Sequence, residues 1–160
     1  MMKEIELINF IDLTIDEKMM VLSWRNDYRI REWMYDSEII SKERHLNFIN
    51  NLARETDKLY FLVKDKNRFL GVIDFTKIKY NKAHMGIYLN PEIKGKGEIL
   101  LDTIISYGTS IIKLNIIIAE VYSQNTKAIE LYKSKNFEII GKKLFKGKKI
   151  FIMERKNENC

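Results

Sequence analysis

Val121-Tyr-Ser-Gln-Asn125-Thr-Lys-Ala128-Ile-Glu-Leu131-Tyr132-Lys-Ser-Lys-Asn136-Phe137 decides how this 160-residue chain is read. It opens at the end of an Ile-rich run, residues 115–122, the pattern of a strand buried on both faces. Asn125 or Thr126 can cap a helix there, because a short polar side chain accepts from an N–H that the first turn leaves unpaired. Ala128, Leu131 and Tyr132 then follow at helical spacing. Asn136, a residue that visits the left-handed region more readily than most, stands where the chain must leave the helix. The reading is a buried strand, a capped helix and an abrupt stop.

One element upstream, Asn90-Pro-Glu-Ile-Lys94-Gly-Lys-Gly97-Glu-Ile-Leu-Leu101 joins a predicted strand to a predicted helix. Its glycines let the backbone turn so that successive N–H groups point at one spot, and the helix N-terminus adds positive potential. Lys94 and Lys96 place full charges beside that spot, so the segment is an anion cradle. The chain has no G-x-x-x-x-G-K-[ST], which excludes a Walker loop, and two glycines fall short of the dinucleotide fingerprint.

Outward from these segments the elements alternate without repeats or linkers. Residues 3–9 alternate and suit a strand. Thr14-x-x-Glu17 is a capping-box signature for a helix through Met19, Met20 and Leu22 towards Trp24. Ser41 caps a second helix carrying Leu46, Phe48, Ile49, Leu52 and Ala53. The period then shortens, and residues 59–64, 69–78 and 84–89 read as three successive strands. A third helix keeps its apolar period from Ile99 to Ile112, and residues 137–145 and 149–155 form a final hairpin turning at Lys146-Gly147. The expected fold is an α/β domain with a mixed, mostly antiparallel sheet of seven strands and about four helices.

Composition narrows the classes. Hydrophobic residues are 46% and charged ones 31%, so the chain folds around a core. The longest apolar run, residues 59–63, is far short of the roughly 20 residues of a membrane span. The first nine residues carry no signal-peptide core, and Cys160, the one cysteine, can make neither an internal disulfide nor a four-ligand metal site. The expectation is a cytoplasmic protein with no metal and no membrane association, its domain at residues 1–156 followed by a tail at 157–160. Lys and Arg number 28 against 22 for Asp and Glu, a net charge of +6 that favours nucleic acid or a phosphorylated small molecule as partner. Five lysines fall in Gly141-Lys-Lys-Leu-Phe-Lys-Gly-Lys-Lys149, where they also serve to guard an edge strand.

The segment ending at Phe137 resembles the V-x-x-x-N-x-x-A-x-x-L-Y-x-x-x-G-F signature of the GNAT superfamily of N-acetyltransferases, and Lys94 to Ile99 resembles its [Q/R]-x-x-G-x-[G/A] motif. Both stand in the family's order and spacing, and the order of elements matches over nearly the whole chain. Lys94, Ile99 and Asn136 depart from the usual Gln or Arg, small residue and Gly. The resemblance implies a GNAT-type domain with acetyl-CoA as cosubstrate, bound between splayed strands at 84–89 and 115–122. It implies pairing of the pantetheine with the backbone at Ile87 and Leu89, and a pyrophosphate cradle of Lys94, Gly95, Lys96, Gly97, Glu98 and Ile99. By the same resemblance Asn125 contacts the coenzyme and Tyr132 protonates the departing thiolate. The plainer readings are a helix cap for Asn125 and a core aromatic for Tyr132.

The resemblance also implies that the N-terminal half decides acceptor choice. Leu22-Ser-Trp24-Arg25-Asn26-Asp27, Trp33-Met34-Tyr35, Ser41-Lys-Glu-Arg-His45-Leu-x-Phe48-Ile49, Gly71-Val72-x-x-x-Thr76-Lys77-Ile78 and Gly86-Ile87-Tyr88-x-Asn90-Pro91 look like the branch that includes ribosomal-protein N-terminal acetyltransferases. Within it they resemble the pseudaminic-acid-pathway enzymes, which acetylate the 4-amino group of a UDP-linked 4-amino-4,6-dideoxy-N-acetylaltrosamine in flagellin or surface glycosylation. The resemblance implies a substrate set of Arg25, His45, Thr76, Lys77 and Tyr88, whose charges and donors suit a UDP diphosphate and an aromatic or sugar ring. Asp74 projects from its strand on the same face as Val72 and Thr76 and ranks first as the base for the amine. Glu120, His84 and an unassisted route are its competitors. A peptide N-terminus as acceptor is the enzyme alternative, and a basic nucleic-acid-binding module is the alternative from another class. Oligomeric state is not readable, although an edge strand offers a way to pair in a homodimer.

Overall fold

The computed structural model describes residues 4–157, and in it most of the sequence signals have a backbone counterpart. After β1 (Ile5–Asn9), helix α1 (Ile15–Asn26) opens on a complete capping box. The Thr14 hydroxyl accepts from the Glu17 N–H at 3.1 Å while the Glu17 carboxylate accepts from the Thr14 N–H at 2.9 Å. A single-turn helix that the periodicity did not announce, α2 (Tyr28–Arg31), follows because the Asp27 side chain caps it from the Arg29 N–H. Helix α3 (Lys42–Leu52) starts at Ser41 as expected.

The strands β2 (Leu59–Asp65), β3 (Arg68–Lys79) and β4 (Lys82–Leu89) form the central meander, and α4 (Gly97–Tyr107), β5 (Ile116–Tyr122), α5 (Thr126–Ser134), β6 (Glu138–Phe145) and β7 (Lys148–Lys156) complete the chain. Both residues of the Tyr80-Asn81 and Lys146-Gly147 turns have positive φ, the conformation that matches the twist of a two-residue hairpin. Asn136 leaves α5 at φ 72°. The third helix differs from its expected single run. Its last turn widens over Gly108–Ile112, where Gly108 packs so closely that a Cβ there would meet Phe75 at 3.1 Å and Leu114 at 3.2 Å.

The sheet order is β1-β2-β3-β4-β5-β7-β6, with β4 and β5 parallel and every other pair antiparallel. Helices α4 and α5 cover one face over a core that includes Phe75, Leu101, Ile104, Ile117 and Phe137. Helices α1 and α3 cover part of the other, closing Phe10, Val21, Trp24 and Ile49 over Leu62 and Val72. Each such buried aliphatic or aromatic side chain contributes roughly 1.5–3 kcal/mol, which fixes both layers on the sheet. Edge strand β6 carries the expected lysines, and Lys146, Lys148 and Lys149 lie over the rings of Phe145, Tyr122 and Phe151. Asn157, at the start of the expected tail, is tied down: its N–H donates to the Asn115 carbonyl at 2.8 Å and its Nδ2 to that of Leu114 at 2.9 Å. Residues 1–3 and 158–160, Cys160 included, lie outside the described residues.

One feature of the sheet positions the site. Strands β4 and β5 are joined through Lys82↔Ile116, Ala83↔Ile117 and His84↔Ile118, and no further rung is seen among the described residues. Beyond His84 the two strands part, and their facing backbone edges border a gap.

Candidate active site

That gap opens into a cleft of about 770 Å³ whose walls come from β4, β5, the start of α4, α5 and the α1–α2 region. At one end Gly95 has φ 77°, a conformation that favours glycine, with open space where a Cβ would stand. Lys96 caps α4 without any side-chain hydrogen bond, so the first N–H groups of that helix are left for a ligand, the arrangement an anionic group needs. Gly95, Gly97, Glu98, Ile87, Leu89 and Asn125 line the cleft. Lys94, Lys96 and Ile99 are not among its lining residues, and Ile99 packs partly into the core. Asn125 does cap α5, its Oδ1 accepting from the Ala128 N–H at 3.3 Å.

Tyr132 reaches the cleft from α5, its ring 5.6 Å from that of Phe137. Burial, and then the nearby charge of Asp74, pushes its hydroxyl up to about 12, so the phenol holds its proton at neutral pH. Core packing and cleft lining are therefore both true of this residue.

Asp74 approaches from the opposite face of the sheet. The ladders set it across from Tyr60 on β2 and Gly86 on β4. Directly opposed residues point to one side, and all three line the cleft. The carboxylate has no hydrogen bond or ion pair among the described residues, and burial alone pushes it up to about 7. It leans over β4 so far that a Cβ on Gly86 would lie 2.4 Å from its Oδ2. Tyr60 and Tyr88 are both pushed well above the usual range, first by burial and then by Asp74. Tyr60 escaped the sequence reading because it sits inside the apolar run at residues 59–63, where an aromatic looks like core.

Of the two competitors for the role of base, Glu120 lines the cleft and is paired with Lys143, while His84 does not line it. Burial pushes the Glu120 carboxyl up, but the Tyr35 hydroxyl, Lys143 and His84 together outweigh it and hold the group below its ordinary value. The Tyr35 hydroxyl donates to Glu120, and Lys143 Nζ lies 2.9 Å from the same carboxylate. His84 Nδ1 stands 4.0 Å away, and burial lowers its pKa. Tyr35 also packs 4.7 Å from the ring of Phe145 and edge-on to Tyr122 at 5.9 Å, fastening the segment that brings Trp33 and Met34 to the cleft. Arg29 fastens its other end, donating to the Pro91 carbonyl and to the carboxylates of Asp27 and Glu92.

The expected acceptor set divides. Arg25 and Tyr88 line the cleft. Arg25 Nη2 donates to the Asp36 carbonyl at 2.9 Å, while its Nη1 is buried with no hydrogen-bond partner among the described residues. His45 is 6% exposed, with its Nε2 2.8 Å from the Lys18 carbonyl, so it ties α3 to α1 and does not line the cleft. Thr76 and Lys77 also lie outside the lining, at a break in the β3–β4 register where Lys77 takes φ 52°. Among the described residues there is no cluster of three or more His, Cys, Asp or Glu placed to hold a metal, and no helix long and apolar enough to cross a membrane.

Comparison with known proteins agrees with this geometry. Residues 19–137 match the acetyltransferase (GNAT) family. The acetyltransferase PseH of Campylobacter jejuni is 37% identical over 135 residues, 84% of this chain and 85% of that protein. The crystal structure of Campylobacter jejuni N-acetyltransferase PseH in complex with acetyl coenzyme A superposes with a TM-score of 0.81 at 31% identity, covering 96% of this chain and 99% of that one. Spermidine N-acetyltransferase from Vibrio cholerae, solved with CoA and spermine, superposes with a TM-score of 0.85 over 94% of each chain, and at 21% identity shares the fold.

Proposed function

The chain belongs to the acetyltransferase (GNAT) family, and from that membership we propose that it acetylates the 4-amino group of a UDP-4-amino-4,6-dideoxy-N-acetylaltrosamine, using acetyl-CoA, in pseudaminic acid biosynthesis. Such a step serves flagellin or surface glycosylation and runs in the cytoplasm. The observation that carries the acceptor assignment is the buried, unpartnered Nη1 of Arg25 in the same cleft as Tyr132. A guanidinium nitrogen buried without a partner is costly unless a ligand oxygen completes it, and a diphosphate supplies one. A peptide N-terminus offers no such anion.

Acetyl-CoA supplies the activated acetyl group as a thioester. Its pyrophosphate fits the uncapped start of α4 and the Gly95 turn, and its extended arm fits the edge of β4 at Ile87 and Leu89. Asp74 takes a proton from the acceptor amine, and the neutral nitrogen attacks the carbonyl carbon. The C–S bond breaks as the new C–N bond forms, and Tyr132 gives its proton to the sulfur. The acylated nitrogen gives its surplus proton to the tyrosinate as the amide forms, and Asp74 releases the proton it took to solvent, which leaves the site as it began.

Thiol release measured with acetyl-CoA and the UDP-4-amino-sugar, beside a panel of peptide N-termini, tests the acceptor. Release with the sugar alone is expected, and release with peptides alone overturns the assignment. Arg25→Ala is expected to raise the apparent KM for the UDP-sugar by about tenfold or more and to leave that for acetyl-CoA unchanged. An effect confined to acetyl-CoA removes Arg25 from the acceptor side.

A further inference from the structure

Asp74 belongs to β3, one strand removed from the gap between β4 and β5, yet it lines the cleft that the gap opens into. Position 86 explains how. Gly86 faces Asp74 in the β3–β4 ladder and is the second residue past His84, where the β4–β5 pairing ends. A Cβ at 86 would lie 2.4 Å from Asp74 Oδ2 and 2.9 Å from both Cγ and Oδ1. Real Cβ contacts do not come that close, so the carboxylate occupies the volume any side chain at 86 would claim.

Backbone conformation does not call for glycine here, since the positive-φ glycines among the described residues are Gly95 and Gly147. A glycine inside a strand weakens it, and it marks a place where another group must approach the backbone closely. We propose that Gly86 is a window in β4, a positioning residue whose missing side chain lets the Asp74 carboxylate reach over the strand to the acceptor nitrogen. The proposal rests on Asp74 as the base and adds the residue that makes its position possible.

The surroundings agree. Tyr60 on β2, Tyr88 on β4 and Tyr132 on α5 each feel the Asp74 charge, and Arg25 on α1 acts on Tyr60 and Tyr88. All three phenols are raised and stay protonated through the neutral range, so they face Asp74 as neutral groups. Filling the window tilts the carboxylate away from the gap and changes its burial together.

The test is a double-mutant cycle of Gly86→Ala and Asp74→Ala, with kcat for thiol release followed from about pH 5.5 to 9. Gly86→Ala is expected to lower kcat by about tenfold or more and to displace the acid limb, with coenzyme A affinity within about twofold of wild type. In the Asp74→Ala background, where no carboxylate contests the space, the same change is expected to alter kcat by less than about twofold. An equal loss in both backgrounds overturns the window, and so does Gly86→Ala with wild-type kcat and an unmoved acid limb. If Gly86→Ala alone does not fold, a double variant that folds and binds coenzyme A supports the clash with the carboxylate, and a double variant that also fails overturns it. Wild-type kcat in Asp74→Ala is a separate outcome, which removes Asp74 as the base.

Discussion

Tyr132→Phe is expected to lower kcat by about 10²-fold or more, close to 2.7 kcal/mol of activation free energy, while coenzyme A binds as before. The substitution removes one oxygen from a ring packed against Phe137, so the helix and the core it closes stay in place. In the proposed mechanism, what is lost is the proton donor for the thiolate. The phenol suits this role because burial, and then Asp74, hold it protonated until the reaction needs it. Once Asp74 has taken the amine proton its charge is gone, and one cause of the raised Tyr132 pKa goes with it. The acid strengthens at the moment the leaving group develops. Unchanged kcat in Tyr132→Phe removes this residue from the mechanism, and a loss of coenzyme affinity in step with kcat makes it a packing residue.

Local signals foretold the framework because each is chemically self-contained. Thr14 and Glu17 complete their capping box within four residues, Asn136 takes the left-handed conformation its position demands, and Lys146-Gly147 turns as a two-residue hairpin. The α2 turn was not legible, since four residues set off by the Asp27 cap leave no periodicity to see. At the proposed coenzyme end the Gly95 turn and the Asn125–Tyr132 helix were legible as local structure, because their signals lie in consecutive residues, whereas Lys94, Lys96 and Ile99 of the same stretch do not line the cleft. The acceptor end depends on what distant residues choose as partners. His45 and Arg25 look equally available in the sequence, but the Lys18 carbonyl takes the histidine, and the Asp36 carbonyl takes just one nitrogen of the arginine. Tyr60 and the emptiness at Gly86 acquire meaning when the β2–β3 and β3–β4 registers set them beside Asp74.

Asp74→Asn is expected to lose about 10²-fold in kcat near pH 7 and, at the same time, to be more stable than the wild type at pH 8. The two effects share one cause. Burial raises the carboxyl from 3.8 to about 7, so between those values the folded protein keeps a proton that the unfolded chain releases. Stability therefore falls as pH rises through that window and stays lowered above it. The amide carries no charge at any of these pH values and escapes the loss, which amounts to at most about 4 kcal/mol. Melting temperatures compared at pH 8 should rise in the variant by about 2–4 °C for each kcal/mol regained, and the difference should close below about pH 4. In the wild type, kcat/KM should climb with pH through about 7 as Asp74 ionises. In Asp74→Asn that limb should vanish, and the rate should approach wild type at high pH, where the acceptor amine is already neutral. A variant that is both fully active and no more stable at pH 8 would show that the carboxylate is solvated, and it would return the choice of base to Glu120, His84 or none.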